Sequence, residues 1–177
     1  VNVKNAKQVA QLAAQLFNSL ATLHTLPADA GKLLEAAALL HNTGHFISDT
    51  GHHKHSAYIV TNSDMPGYTD RERQLVALLC RYHRKSLPST RHETFRLLQP
   101  DEKRVIQMLT PILRIAVGLD AGNEQKVSDV EISIVNKVVN VTVRGSGDLD
   151  LELWAADRAA DSFRQIYEIP MNITRAK

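Results

Sequence analysis

Apolar residues recur every three or four positions through most of the first 120 residues, a pattern that predicts a largely helical fold. The first helix is expected to run from about residue 4 to residue 24. Its buried stripe would consist of Val9, Leu12, Leu16, Phe17, Leu20 and Leu23. A second stretch, residues 32–41, is apolar on nearly all sides, which is typical of a helix enclosed by others. A third helix is predicted to begin near His52 or His53.

Further helix boundaries are marked by capping residues and prolines. Thr69 and Glu72 have the spacing of a capping box, in which each side chain bonds the backbone of the other. Pro100 stands where a new helix would begin, the position at which its missing N–H costs least. Pro111 falls inside the same helix, and we expect it to kink that helix or divide it in two.

After Gly122 the period of the pattern changes from that of a helix to that of strands. Residues 127–135 and 138–144 alternate and are rich in β-branched side chains, and Asn136-Lys137 between them predicts a β-hairpin. Residues 151–167 return to helical spacing, and residues 169–174 are a candidate last strand. We therefore predict a mainly α protein: a helical domain, residues 1–122, followed by a small ββαβ α+β subdomain, residues 123–177.

Composition limits which partners the protein is expected to bind and where in the cell it is expected to be. The net charge is only +2, and aromatic residues make up 5% of the chain, so neither a polybasic nor a base-stacking nucleic-acid surface is expected. Tyr58, Tyr82 and Trp154 are expected to pack instead. The single cysteine, Cys80, fits a reducing cytoplasm, and neither a signal peptide nor an apolar run of about 20 residues is present. Because the sequence opens with Val1 rather than methionine, a fragment and a free-standing protein both remain open interpretations.

Positive charge is concentrated in one short stretch after residue 80. Between Arg81 and Arg96 there are five cations and one anion, Glu93, which gives a local balance of +4. His83 and His92 would add charge at lower pH. The stretch indicates an anionic partner, and a solvated basic face is the alternative.

Six of the eight histidines fall in three segments that a compact helical fold would bring together. These are residues 41–45, residues 52–56 (His-His-Lys-His-Ser) and His83. Neutral imidazole is a borderline ligand that suits transition metals. Histidines with a lysine among them also hydrogen-bond phosphate oxygens, and more strongly when protonated. The residues alone leave both chemistries open.

The same segments resemble a known family. Residues 39–44, Leu-Leu-His-Asn-Thr-Gly, resemble the Leu-Leu-His-Asp-Ile-Gly signature of the HD phosphohydrolase superfamily. Residues 51–58, 62–67 and 81–88 look like three motifs, in the same order, of the C-terminal HD-like domain of the exopolyphosphatase and guanosine-pentaphosphate phosphatase family. The hairpin, the segment around Trp154 and the last helix also fit, so the resemblance covers essentially the whole chain. It implies that the helical domain is HD-like.

The resemblance also implies which parts of the enzyme lie elsewhere. The phosphatase chemistry of the family belongs to two N-terminal actin-like domains, with a glutamate base and Mg²⁺ between them. This sequence has no successive glycine-rich phosphate loops, so we expect no cofactor and no exopolyphosphatase active site in this chain. The implied partners are those N-terminal domains, polyphosphate or guanosine pentaphosphate, and a second copy in a homodimer.

The HD metal site itself is predicted to be degenerate. By the resemblance, Asn5 stands at the position of the first histidine ligand, His41 is retained, Asn42 replaces the aspartate and Val117 replaces the late aspartate. Asp120, one turn on, is a weak substitute. Losing both carboxylates removes the hard anionic ligands that balance a divalent cation. We predict neither a metal site nor a catalytic residue here, although an adventitious Zn²⁺ or Ni²⁺ on the remaining histidines stays open.

The leading hypothesis is an accessory module that binds polyphosphate and supports dimerisation. The predicted phosphate-binding residues are His52, His53, Lys54, His55, Arg81, His83, Arg84 and Lys85. His41 and Asn42 are expected to be a buried pair hydrogen-bonded to helix ends, and Gly44 to supply a backbone turn. The alternatives are a free-standing HD-type metal-dependent phosphohydrolase acting on nucleotides and a purely structural dimerisation module.

Overall fold

The computed structural model describes residues 2–177, so Val1 lies outside the described residues. The helices are α1 (Val3–Ser19), α2 (Ala21–His24), α3 (Ala28–Leu40), a 3-10 helix (Thr43–Phe46), α4 (His52–Thr61), α5 (Asp70–Tyr82), α6 (Glu93–Arg96), α7 (Pro100–Gly118) and α8 (Asp150–Tyr167). The strands are β1 (Val127–Val135), β2 (Val138–Gly145) and β3 (Met171–Arg175). The prediction of a mainly α protein with a small α+β part is confirmed.

Several helix boundaries differ from the sequence prediction. The first helix ends at Ser19, and the short α2 follows it before the chain turns at Thr25, whose φ of 54° is left-handed. The second predicted helix starts four residues early, at Ala28, because Pro27 adopts the extended conformation of an N-cap. The periodicity gave no sign of α6, which has only four residues.

The predicted capping box of α5 is confirmed. The Thr69 hydroxyl accepts from the Glu72 N–H at 3.1 Å, and the Glu72 carboxylate accepts from the Thr69 N–H at 2.9 Å. Pro100 is at the start of α7, as expected. The same helix runs unbroken past the buried Pro111, so the predicted division into two helices does not occur. Proline removes one backbone donor, and core packing on both sides of it keeps the helix continuous.

Helix α7 is at the centre of the packing. It contacts α1, α3, α5 and α8. Fully buried side chains of α7 include Ile106, Leu109, Ile112, Leu113 and Ile115. The same hydrophobic core continues into the strands, with Val139, Val141 and Val143 of β2 buried. The division of the chain at residue 122 stays a prediction.

The sheet has the order β1-β2-β3, with β1 antiparallel to β2 and β3 parallel to β2. The hairpin turn is at Asn136 and Lys137, as predicted, and both residues have positive φ. Such a turn matches the right-handed twist of the two strands. Within residues 2–177 no helix is both long enough and apolar enough to cross a membrane.

Candidate functional site

Three histidines from separate elements meet beside one cavity. His41 follows α3, His52 opens α4 and His83 follows α5. The ring centroids of His41 and His83 are 5.1 Å apart, and those of His52 and His83 are 5.2 Å apart. The cavity beside them, here called the histidine cavity, has a volume of about 340 Å³. Its lining residues are Asn2, Asn5, His41, Asn42, His45, Asp49, His52, His83, Val117, Asp120, Ala121 and Asn123.

Backbone carbonyls fix the tautomers of the two buried histidines. The His41 Nδ1 lies 2.6 Å from the Ala38 carbonyl oxygen, and the His83 Nδ1 bonds the Cys80 carbonyl oxygen. Because a carbonyl only accepts, each Nδ1 carries the proton and donates it. The lone pair of each neutral ring is therefore on Nε2.

Burial keeps these histidines neutral. It lowers the pKa of His41 to about 4 and that of His83 well below the usual 6.5. The pKa of His52 is also lowered to about 4, first by burial and then by the neighbouring His45 and Arg84. At pH 7 the rings of His41, His52 and His83 are therefore neutral acceptors and donors rather than cations.

The four positions that the resemblance assigned to the HD ligands come together in this cavity. Asn5, His41, Asn42 and Val117 all line it, and so does Asp120. Two amide side chains are linked there, since the Asn42 Nδ2 donates to the Asn5 Oδ1 at 3.2 Å. As predicted, His41 and Asn42 are both buried.

The Asp120 carboxylate accepts three hydrogen bonds from other residues of the protein. Its carboxylate accepts from the Asn5 Nδ2 at 2.7 Å, and from the backbone and side-chain N–H groups of Gln125 at 2.8 and 3.1 Å. Within residues 2–177 no group of three or more histidine, cysteine, aspartate or glutamate side chains is arranged to hold a metal ion. As they are arranged, the side chains around the histidine cavity therefore do not form a ligand set for a divalent cation.

A serine in the middle of α4 joins this helix to the end of α3 and to the 3-10 helix. The Ser56 hydroxyl donates to the His41 carbonyl at 2.6 Å and accepts from the Gly44 N–H at 2.8 Å. A Cβ on Gly44 would lie 2.0 Å from the His52 carbonyl oxygen. Gly44 does not have a positive φ, so its role is close approach of the 3-10 helix to α4 rather than an unusual turn conformation.

A basic cluster lies on the outer side of the same elements. Its members are Lys54, Arg81, Arg84 and Lys85, and none of them is within 4 Å of a carboxylate in residues 2–177. The buried His53 is close enough to all four for their charges to act on its ring. Its pKa is lowered to about 4, first by burial and then by the charges of these same four cations. The cluster is therefore a concentration of positive charge that the described residues leave without counter-charge.

A second cavity, of about 540 Å³, adjoins the basic cluster between α4, α5 and α6. Lys54 and Arg81 line it together with the apolar side chains of Tyr58, Leu78 and Leu97. Tyr58 is 66% exposed, and Trp154 on α8 is 59% exposed, so the expectation that both would pack is wrong. Tyr82 is fully buried, as expected.

The predicted phosphate-binding residues fall into two groups. The cations of the basic cluster are exposed or half-buried, whereas His53 and His83 are buried. His52 lies between the groups, with its Nδ1 3.0 Å from the Arg84 guanidinium. His55 is half-buried, and its Nε2 lies 3.0 Å from the Thr50 carbonyl oxygen. The assignment of these eight residues to phosphate stays a prediction.

Sequence reasoning did not anticipate Asp49 in the histidine cavity. Its carboxylate accepts from the His45 Nδ1 at 2.8 Å, and the His45 ring stacks on His52 with centroids 4.0 Å apart. The spacing of four residues between His45 and Asp49 was the available signal.

Comparison with known proteins identifies the family. Residues 1–153 match the family described as Ppx/GppA phosphatase, domain III. The chain belongs to the Ppx/GppA phosphatase family. This confirms the resemblance that the histidine and arginine motifs indicated. The matched residues include both the histidine cavity and the basic cluster.

Two curated Ppx/GppA relatives have the same name, guanosine-5'-triphosphate,3'-diphosphate pyrophosphatase. The one from Pseudoalteromonas translucida is 28% identical over 167 residues, which are 93% of this chain and 33% of the relative. The one from Pseudoalteromonas atlantica is 32% identical over 117 residues, which are 66% of this chain and 23% of the relative. The chain thus spans a third or less of the length of these relatives, and it corresponds to one module of a Ppx/GppA phosphatase.

Proposed function

We propose that this domain holds the anionic phosphate chain of a polyphosphate or guanosine pentaphosphate substrate. A separate N-terminal phosphatase portion, with the Mg²⁺ that the family resemblance implies, would cleave the terminal phosphoanhydride. The observation that supports this function is the basic cluster: four cations from α4, α5 and the following loop act on one buried histidine, and none of them is within 4 Å of a carboxylate in residues 2–177.

The physical basis is charge. A polyphosphate chain has about one negative charge per unit, and cations that neutralise it release condensed counterions, as basic proteins do on nucleic-acid backbones. Arginine and lysine also make charge-assisted hydrogen bonds to phosphate oxygens. By contrast, Arg71 on α5 is paired with Glu102, and Arg144 is paired with Asp129 and Glu131, so these arginines are less available to a ligand.

The proposal includes a homodimer, as the resemblance implies. Sedimentation with and without polyphosphate separates a phosphate-binding module from a purely structural dimerisation module. The free-standing metal-dependent phosphohydrolase is not favoured, because the side chains of the histidine cavity are not arranged as a metal-ligand set and Asp120 is hydrogen-bonded to Asn5.

Titration of the chain with long-chain polyphosphate should show binding without hydrolysis. Calorimetry at 50 and 200 mM salt is expected to show a steep loss of affinity, roughly tenfold or more if several phosphates are neutralised. Binding that does not depend on salt would contradict the electrostatic mechanism. An absence of binding at low salt would remove the phosphate-holding function.

Replacing Arg84 and Lys85 together by alanine is expected to weaken polyphosphate binding by about 1–3 kcal/mol, the range for hydrogen bonds to charged groups. The matched control is the adjacent pair Lys103 and Arg104 on α7, replaced by alanine in the same way. Both double variants lose two positive charges, so an equal loss of affinity in the control would show that only net charge matters. An unchanged affinity of the Arg84 and Lys85 variant would exclude these residues from the site.

A further inference from the structure

The segment that presents Arg84 and Lys85 has little backbone support of its own. It follows α5, and no backbone–backbone hydrogen bond within residues 2–177 joins residues 84–88 to another part of the chain. Lys85 has a φ of 64°, in the left-handed region. A non-glycine residue keeps such a conformation only where its surroundings hold it there.

Arg114 supplies the missing support from the neighbouring helix α7. Its Nε donates to the Tyr82 carbonyl at 2.7 Å, and its Nη2 donates to the carbonyls of Lys85 and Ser86 at 2.9 and 2.7 Å. Tyr82 is the last residue of α5, and the last carbonyls of a helix have no partner within it. One guanidinium therefore links the end of α5 to the two carbonyls that follow the left-handed Cα of Lys85.

We propose that Arg114 is a positioning residue, which holds the Arg84-Lys85 segment in its phosphate-binding conformation while its own guanidinium is turned toward backbone carbonyls. The proposal rests on the proposed function, since it concerns the affinity of that same cluster. A segment that is ordered before binding does not lose that conformational freedom when the ligand arrives, and affinity is gained in this way.

The chemistry of the side chain suits this role. Guanidinium is a rigid, planar fork with several donors, so it bonds three carbonyls at fixed angles, whereas a lysine ammonium is a point charge on a flexible stem. Burial lowers the pKa of Arg114 to about 10, so the group stays charged at pH 7. The same helix provides a matched control in Arg104, an exposed arginine whose hydrogen bond goes to the Thr25 hydroxyl.

The test compares the salt dependence of polyphosphate binding for the intact chain and the variants Arg114→Gln, Arg114→Lys, Lys85→Ala and Arg104→Gln. Arg114→Gln is expected to weaken binding by about tenfold. The salt slope, which is the slope of the logarithm of the binding constant against the logarithm of the salt concentration, should not change in this variant. Lys85→Ala, which removes a contact, should reduce the slope by about one. Arg114→Lys should be intermediate, and Arg104→Gln should bind like the intact chain.

Two outcomes of the binding experiment would overturn the positioning role. The first is an unchanged affinity of Arg114→Gln for polyphosphate. The second is a salt slope of Arg114→Gln that is reduced as much as that of Lys85→Ala, because Arg114 would then contact phosphate itself. If circular dichroism shows that Arg114→Gln does not fold, Arg114→Lys is the test. An intermediate affinity with an unchanged salt slope would support the positioning role, and an unchanged affinity or a reduced salt slope would contradict it.

Hydrogen exchange separates this proposal from the proposed function. If the intact chain does not bind polyphosphate, the proposed function fails, but Arg114→Gln should still raise amide exchange in residues 84–88 relative to Arg104→Gln. Faster exchange confined to that segment would support the ordering role. Equal exchange in the two variants would contradict it.

Discussion

Lowering the pH from about 6.5 to about 4.5 is expected to reduce the free energy of unfolding of this domain by roughly 5 kcal/mol. The loss comes from His41 and His83, which are 3% and 5% exposed and have strongly lowered pKa values. Since a small domain is typically stable by about 5–15 kcal/mol, this change is a large part of the total.

The direction follows from the number of protons that each state binds. In the unfolded chain a histidine takes up a proton as the pH falls through about 6.5. In the folded protein His41 does so only near pH 4, and burial holds the pKa of His83 well below 6.5. Between the pKa of the unfolded histidine and its lowered pKa in the folded protein, the unfolded state binds more protons. The stability that is present at neutral pH is therefore lost as the pH falls through this range. The loss is about 1.4 kcal/mol per pH unit for each histidine. His24, His52 and His53, whose pKa values burial also lowers, add to the effect.

Urea unfolding at pH 7, 6, 5 and 4.5 measures this slope, and the variant His83→Asn assigns part of it. The asparagine amide nitrogen can take the place of Nδ1 in the bond to the Cys80 carbonyl, but it does not titrate. The variant should therefore flatten the slope by about 1.4 kcal/mol per pH unit. A slope equal to that of the unchanged chain would show that His83 is not held neutral by the fold.

Local sequence patterns predicted the elements of this fold because their causes are local. The period of apolar residues, the capping residues Thr69 and Glu72, and the Asn136-Lys137 turn each act within a few positions along the chain. The break at Ser19 was missed because the apolar stripe continues through Leu20 and Leu23 while the backbone changes direction.

The sequence predicted which residues belong to the candidate site, but not which way each side chain points. The sequence groups His52, His53 and Lys54 together, but a helix turns each successive side chain by about 100°. Thus His52 lines the histidine cavity, His53 is buried, and Lys54 lines the second cavity beside the basic cluster. The role of Arg114 had no local signal at all, because its three carbonyl partners are 28 to 32 positions away in the chain.

Substituting Gly44 by alanine is expected to cost about 3 kcal/mol or more of unfolding free energy, at the upper end of what overpacking costs. The added methyl group would lie 2.0 Å from the His52 carbonyl oxygen and 2.6 Å from the Ser56 nitrogen. Both are backbone atoms of α4, so no side-chain rotation relieves the contact. Either the first turn of α4 moves away from the 3-10 helix, or the substitution prevents folding.

That displacement would also break the bonds that locate the site. Ser56 bridges the His41 carbonyl and the Gly44 N–H, so moving α4 separates His52 from His41 and His83. Thermal unfolding followed by circular dichroism is the direct measurement, and the histidine ring signals in NMR spectra should shift in the same variant.

The matched control is Gly31→Ala in α3. There the three nearest atoms to the new methyl group all belong to the ring of Phe17, the first at 3.2 Å, and a side chain can move by a few tenths of an ångström. Alanine also favours a helix interior over glycine by about 0.5–1 kcal/mol, so this variant should be close to neutral. A chain with Gly44→Ala that unfolds at the same temperature as the Gly31→Ala chain would contradict the close packing of α4 against the 3-10 helix.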